Sequence, residues 1–526
     1  MLTLALFILL TAVALPSVYA TPALLTRVTV LTFLSAAALA ANAYSWEGVG
    51  SGLGLYSGLI DLTGLSLAAQ VFLLSVGAIA LVQWAPHAHL SPMATPRIAT
   101  YPLFALLSSM GGCLLVASGD MVTLYLALEL QSFAVYVLAA LYRDSESATH
   151  SGLLYFLLGG LSSCLILLGF AVVYNQTGIT NLESLVTLLS VGGSDSISIN
   201  WALALGFTAV MTGLLFKVTA APFHNWGPDV YDGVPTIVTT WIAVLPKISL
   251  LTLLYTLSSG LISAMLVVVD TASYDVWALL LLMSSTLSLV VGAVVGLAQR
   301  RIKRLLAYST VSHVGFMLLA ISVNSPEATS AFVFYLVQYT LTAMLSFSLL
   351  GAISHSSSRG GDITHDVSLI SQLAGLRVRN LPLAFSLLVL LFSLAGVPPL
   401  LGFFGKLEVL YSAISGGYYF VSLVAILSSV ISASYYLNVI RVAWFDPSAP
   451  VSPQVFPHDH FANSLTPGGV GDYYWAVTRN SEKPVEITAV QSYTISLLTA
   501  ILVFYMASPS LLLDSARLLA LSLFSV

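Results

Sequence analysis

Apolar runs of roughly 20 residues recur along the whole chain, separated by polar connections that are mostly short. A helix rises about 1.5 Å per residue, so each run is long enough to cross a hydrocarbon layer about 30 Å thick. Lipid offers no partner for backbone N–H and C=O groups, so runs of this length predict helices rather than barrel strands. The pattern predicts fourteen spans, at about 2–20, 23–44, 61–84, 100–118, 119–141, 152–175, 200–222, 236–258, 275–298, 304–323, 329–354, 383–411, 418–444 and 488–509. Residues 259–270 either extend the eighth span or form a short extra helix. The longest polar stretch, 445–487, is rich in Pro, Asn, Asp and Gly. It carries no catalytic signature and reads as an inner-face cover or a subunit contact. The segment 355–366 reads as a loop by composition.

Composition turns this pattern into a class. Of 526 residues, 58% are hydrophobic and 7% are charged, and the mean hydropathy is +0.95. Soluble domains carry about 25% charged residues, so a soluble fold is excluded and the chain reads as an all-α polytopic membrane protein. The first run has no basic segment before it and reads as a retained span rather than a secretion signal. Cys113 and Cys164 fall in separate spans without ligand spacing and read as packing residues. Of 17 Lys and Arg, thirteen fall in connections that leave odd-numbered spans, from Arg27 and Arg97 through the Arg300–Arg304 cluster to Lys483. The opposite connections hold acids instead: Glu47, Glu183, Asp195, Asp270, Asp275 and Glu327. By the positive-inside rule this places both termini outside, in the periplasm or intermembrane space.

Three lysines and a glutamate break the apolar pattern where breaking it is costly. Lys217 and Lys247 bracket a segment punctuated by Pro222, His224, Pro228, Gly233 and Pro235. Glu129 lies about mid-depth in span five, and Lys406 follows the double proline Pro398–Pro399 in span twelve. A lysine at membrane depth costs about 3 kcal/mol on insertion scales, which favours placement on a polar path. Lysine releases a proton readily when buried, whereas arginine does not. At roughly 7 Å and an effective dielectric of about 20, Glu129 and Lys217 would interact by about 2.4 kcal/mol. The alternative is a static salt bridge that locks helices. His224 and His313 are candidate proton relays because imidazole titrates near neutrality, with hydrogen-bonded packing as the other reading. Asp229 and Asp232 read as capping and turn residues.

Spans seven and twelve each pair a proline break with a lysine and run in opposite directions, which points to an inverted repeat. The expected units are an N-terminal three-helix segment (1–99), a first five-helix repeat (100–258), a second, inverted one (275–444), the polar inner-face connection (445–487) and a C-terminal helix (488–526).

At these same residues the chain resembles a known family. PFHNWGPDVYDGVPT (222–236), RLLAYSTVSHVGFML (304–318), LAGVPPLLGFFGKLEVL (394–410) and LELQS around Glu129 resemble the signatures of the antiporter-like membrane subunits of respiratory complex I. The PDVYDG form resembles the subunit called 2 in mitochondria and N in bacteria, and fourteen spans resemble its fungal, plant or bacterial forms. The resemblance covers about 100–445 and the flanking spans. It implies that Glu129 and Lys217 are a coupled pair, that Lys247 is a central lysine and that Lys406 is a terminal lysine in a broken helix. It implies proton translocation driven by partner subunits, no redox chemistry on this chain, and no cofactor of its own. NADH, FMN, iron–sulfur clusters and ubiquinone would sit on other subunits. The implied partners are other complex I membrane-arm subunits, antiporter-like and small, together with lipids and no nucleic acid. The implied location is the mitochondrial inner membrane, or else a bacterial plasma membrane. A Mrp-type cation/proton antiporter and a purely structural membrane subunit remain the alternatives.

Overall fold

A computed structural model describes residues 1–15, 22–45, 52–84, 95–143, 145–191, 201–268, 276–357, 366–447 and 487–524. The long apolar runs fold as helices: α1 (Leu2–Ala14), α2 (Pro22–Tyr44), α3 (Gly64–Trp84), α4 (Thr95–Val116), α5 (Met121–Ala140) and α6 (Glu146–Thr177). After a short α7 (Leu182–Val191) come α8 (Trp201–Val218), α9 (Trp226–Gly233), α10 (Thr236–Val268), α11 (Val276–Leu297), α12 (Ile302–Val323) and α13 (Pro326–Ser357). The chain continues through α14 (Leu376–Arg379), α15 (Leu381–Ala395), α16 (Leu401–Ser415) and α17 (Tyr419–Trp444) to α18 (Ala489–Phe504) and α19 (Pro509–Phe524). Among the described residues, ten helices are long and apolar enough to cross a membrane, and four more are shorter apolar helices. The sequence is therefore predominantly helical and membrane-spanning, as expected. Most of the expected 445–487 connection, from 448 to 486, lies outside the described residues.

The two expected proline breaks are present. The chain leaves α8 at Val218 and re-forms a helix only at Trp226, and span twelve is split into α15 and α16. Other elements differ from expectation or settle an open choice. Residues 259–268 extend α10 rather than forming a separate helix. The connection between spans two and three contains a small antiparallel hairpin, β1 (Leu53–Leu55) and β2 (Ile60–Leu62). The C-terminal segment holds two helices where one was expected.

Small residues let the helices approach. A Cβ added at Gly169 of α6 would lie 2.6 Å from the Gly206 carbonyl of α8. One added at Gly292 of α11 would lie 2.7 Å from the Ser312 amide of α12. Apolar surface gains little by leaving lipid, so such close backbone packing is the main source of association between membrane helices.

The connections sort by end. At one end Asp61 N donates to Ala117 O at 2.8 Å, the Asn181 amide donates to Gly58 O at 3.2 Å, and Asp120 bridges to Asn181. At the other end Arg301 pairs with Asp232 and Arg304 with Asp229, both at 2.6 Å. Asp229 and Asp232 are therefore ion-pair partners of the cation cluster at the start of α12, beyond the capping and turn role expected of them. Every one of these contacts joins connections of the same parity, as an alternating path through the membrane requires.

Asp366 ties this second end together. Its Oδ2 accepts from Lys303 Nζ at 2.5 Å and from the backbone N–H of Thr236, the first residue of α10, at 2.8 Å. Lys303 Nζ also donates to Val234 O at 2.9 Å, and its side chain is only 3% exposed. Asp366→Ala strands that cation, at about 3–5 kcal/mol for a buried pair losing one partner. Native gels of mutant membranes should show several-fold less assembled complex. Lys303→Met combined with Asp366→Leu should recover most of the loss.

Candidate functional site

Helix α5 starts on a cap in which Asp120 Oδ1 accepts from Val122 N at 2.7 Å. Three residues apart on that helix, Glu129 and Ser132 share a face. Both reach Lys217 in the last turn of α8: Glu129 Oε1 lies 3.6 Å from Lys217 Nζ, which donates to Ser132 Oγ at 2.9 Å. The separation is about half that assumed from sequence. At an effective dielectric of about 20 it corresponds to an attraction of about 4–5 kcal/mol. The pair is enclosed, with side-chain exposures of 6% for Lys217 and 14% for Glu129.

Lys217 sits where it does because α8 stops one residue later. Thr219 takes a left-handed φ of 67° and Ala220 N folds back to Leu215 O at 3.0 Å. A broken helix in a membrane leaves backbone groups that need partners. Two serines one turn apart on α11 supply them: Ala221 N donates to Ser288 Oγ and Ser284 Oγ donates to Ala221 O, each at 2.8 Å. Trp226 closes the gap, its indole N–H donating to Phe216 O at 2.9 Å while its ring stacks on Tyr155 at 4.6 Å. The ammonium at the carbonyl end of α8 is favoured by the helix dipole.

The second break is built differently. Gly396 turns the chain out of α15 with a left-handed φ of 87°. Lys406, on α16, reaches back across the break and donates to Leu394 O at 2.9 Å and Ala395 O at 3.0 Å. These are the last carbonyls of α15, left free by the break. Glu408 faces elsewhere, 3.9 Å from Arg517.

Lys247 lies between the two breaks on α10, next to Pro246 inside the helix. It is only 2% exposed, and its ammonium has no hydrogen-bond partner among the described residues. It rests instead over the rings of Tyr231, at 5.7 Å, and Tyr339, at 5.5 Å. Cation–π contact of this kind is worth about 2 kcal/mol when desolvated, so it offsets only part of the burial penalty.

Shared side chains join these charges. A cavity of about 20 Å³ is lined by Ser132, Tyr136, Lys217, Trp226 and Pro246. A water needs about 10–15 Å³, so this cavity has room for one between Lys217 and the helix that bears Lys247. Tyr339, beneath Lys247, lies 6.1 Å from the ring of His313. His313 is buried, its Nδ1 lies 2.8 Å from Tyr335 Oη, and its Nε2 has no partner among the described residues. His313 and Lys406 then pack into one cluster with Phe316, Ser428, Ser432 and Tyr436, which leaves no water-sized space between them. His224 lies beside the first break, half-buried, with its ring 6.0 Å from Tyr308. Shared neighbours thus link Glu129, Lys217, Lys247, His313 and Lys406 in succession as an interior row, while the ring contact of His224 is with Tyr308.

Sequence reading did not single out Ser132, Tyr339 or Gln338. Gln338 is fully buried, and neither amide atom has a partner among the described residues. A Cβ at Gly405, one residue before Lys406, would lie 1.9 Å from its Oε1. A glutamine inside an apolar span was the available signal. No group of three metal-ligating side chains occurs among the described residues.

Comparison with known proteins fits this geometry. Residues 118–432 match the transmembrane family described as NADH:quinone oxidoreductase/Mrp antiporter. The chain is 41% identical to NADH-ubiquinone oxidoreductase chain 2 of Rhizopus oryzae, over 99% of this chain and 98% of that one. It is 39% identical to NADH-quinone oxidoreductase subunit N of Paramagnetospirillum magneticum, over 66% and 68%. Among solved structures, a chain of respiratory complex I from Thermus thermophilus superposes with a TM-score of 0.70 at 26% identity, covering 98% of this chain and 99% of that one. A chain of the Mrp complex from Dietzia shares the fold, with a TM-score of 0.75 at 21% identity and coverage of 99% and 96%. The buried lysines, the two broken helices and a family match across 118–432 together establish that this chain belongs to the NADH:quinone oxidoreductase/Mrp antiporter transmembrane family.

Proposed function

We propose that this chain is a proton-translocating membrane-arm subunit of NADH:ubiquinone oxidoreductase, working through Glu129, Lys217, Lys247 and Lys406. The observation that carries this reading is the row itself: four ionisable side chains enclosed between helices, with two of them at helix breaks. In this reading Glu129 holds the Lys217 ammonium until a partner subunit draws the glutamate away. The proton then passes to Lys247 and, through His313 as relay, towards Lys406. His224 serves as a relay to the inner face beside the first break. Residues 100–258 and 275–444 are the two inverted repeats, each contributing one broken helix. The segments 1–99 and 488–526 flank them, and 445–487 covers the inner face.

Full-length likeness to the Rhizopus chain at 41% identity favours complex I over a Mrp-type antiporter, which the family also covers but whose Dietzia chain is 21% identical. It also favours the mitochondrial inner membrane. Fourteen spans with both termini on the intermembrane-space side rest on the segregation of basic residues among the connections. Moving one charge against 100 mV requires about 2.3 kcal/mol, which the partner subunits supply. NADH, FMN, iron–sulfur clusters and ubiquinone act on those subunits.

Lys406→Met tests the reading. In membranes with assembled complex, NADH-driven proton uptake should fall several-fold while electron transfer to an added quinone falls less, with no dependence on sodium. Unchanged proton uptake per NADH would remove Lys406 from the path. Sodium-dependent exchange would favour the antiporter reading.

A further inference from the structure

A further cavity lies away from the charged row. It holds about 290 Å³ at the opposite end of the bundle from the Asp229–Arg304 ion pairs, among the ends of α6, α8, α10 and α11, and the hairpin residue Asp61 and α7 lie along its edge. Its walls are mostly apolar: Phe170, Val173, Phe207, Val210, Leu257 and Trp277. Two carboxylates stand in this lining, Asp61 and Glu183. Neither carboxylate makes an ion pair among the described residues. Asp61 lies outside the spans. Partial burial, and then the charge of Glu183, push its carboxyl above the usual carboxylate range. Among the described residues the lining therefore has no cation beside its acids, and its other polar groups are the hydroxyls of Thr63, Ser118 and Thr256. Pockets that bind small molecules have this form, an apolar chamber with a few oriented polar groups.

We propose that this chamber binds a single-chain alkylammonium amphiphile, its ammonium between Asp61 and Glu183 and its chain between Phe207, Val210 and Leu257. Charge selects the head: an ammonium relieves two like charges at once, whereas a carboxylate adds a third. Volume selects the tail. At about 290 Å³ the chamber is close to the lower end of small-molecule pockets, of a size to take one short chain. The tail would lie against Thr256, Leu257 and Gly260, on the same helix as Lys247. This inference is independent of the proton path, since none of the row residues lines the chamber.

The test uses the assembled complex and decylamine carrying a diazirine. On illumination the label should map to peptides containing Phe207, Val210 or Leu257. Unlabelled decylamine should compete at least tenfold better than decanol or decanoate. Asp61→Asn with Glu183→Gln should remove that tenfold preference. Val210→Trp, which fills the chamber, should abolish labelling, and Val186→Trp on short α7 gives a second obstruction should the first variant not assemble. Equal competition by decanol, equal competition by phosphatidylethanolamine, or labelling that survives both tryptophan variants would overturn the proposal. The wild-type competition decides the matter even if no variant assembles.

Discussion

Membranes carrying Glu129→Gln are expected to lose both assembled complex and proton pumping, and adding Lys217→Met is expected to restore the first but not the second. Glu129 Oε1 is the anion that Lys217 faces, 3.6 Å away inside the helix bundle. Removing one member of a buried pair leaves the other charge uncompensated, at about 3–5 kcal/mol, whereas replacing both with apolar groups is often neutral. Ser132, which accepts from Lys217 Nζ at 2.9 Å, offers a dipole but no charge. Assembly should therefore follow the charge balance of the pair, and pumping should follow the presence of both titrating groups. Native gels and NADH-driven acidification of inverted vesicles separate the two. If the double variant pumps at the wild-type rate, the pair is structural.

Lys247→Met should reverse the ordinary link between a buried residue and stability. Lys247 is 2% exposed and its ammonium has no hydrogen-bond partner among the described residues. Two aromatic rings at 5.5 and 5.7 Å are its compensation. Desolvating an unpaired ammonium costs several kcal/mol, so an apolar chain of similar length should hold the helices at least as well. The complex should assemble to wild-type levels or above, with an equal or higher melting temperature. Proton uptake per NADH should fall at least several-fold. A structural lysine would give the opposite: reduced assembly, with pumping reduced in proportion.

The helices were legible because lipid leaves them no alternative. Runs such as 276–297 and 419–444 contain little that could form anything but a membrane-spanning helix. The four charged positions were legible for the same reason, since a charge in such a run is rarely without purpose. What escaped was set by contacts between segments far apart in the chain. Asp229 and Asp232 look like turn residues until the fold brings Arg304 and Arg301 against them. Ser284 and Ser288 look like ordinary small residues on α11, and only the break after Val218 makes them partners for Ala221. The distance from Glu129 to Lys217 depends on how α5 meets α8, which periodicity does not encode. His224 shares a motif with Pro222 and Trp226, and only the fold shows that its ring lies against Tyr308 of α12.

The central claim is that protons move along the interior row. A high-resolution cryo-EM map of the intact complex, resolving ordered water, tests it most directly. The account predicts hydrogen-bonded waters linking Lys217 Nζ past Pro246 to Lys247 Nζ, and continuing by Tyr339 and His313 Nε2 to Lys406 Nζ. A dry, closely packed plug of apolar side chains between Lys217 and Lys247, or between His313 and Lys406, in every state captured during turnover would contradict it.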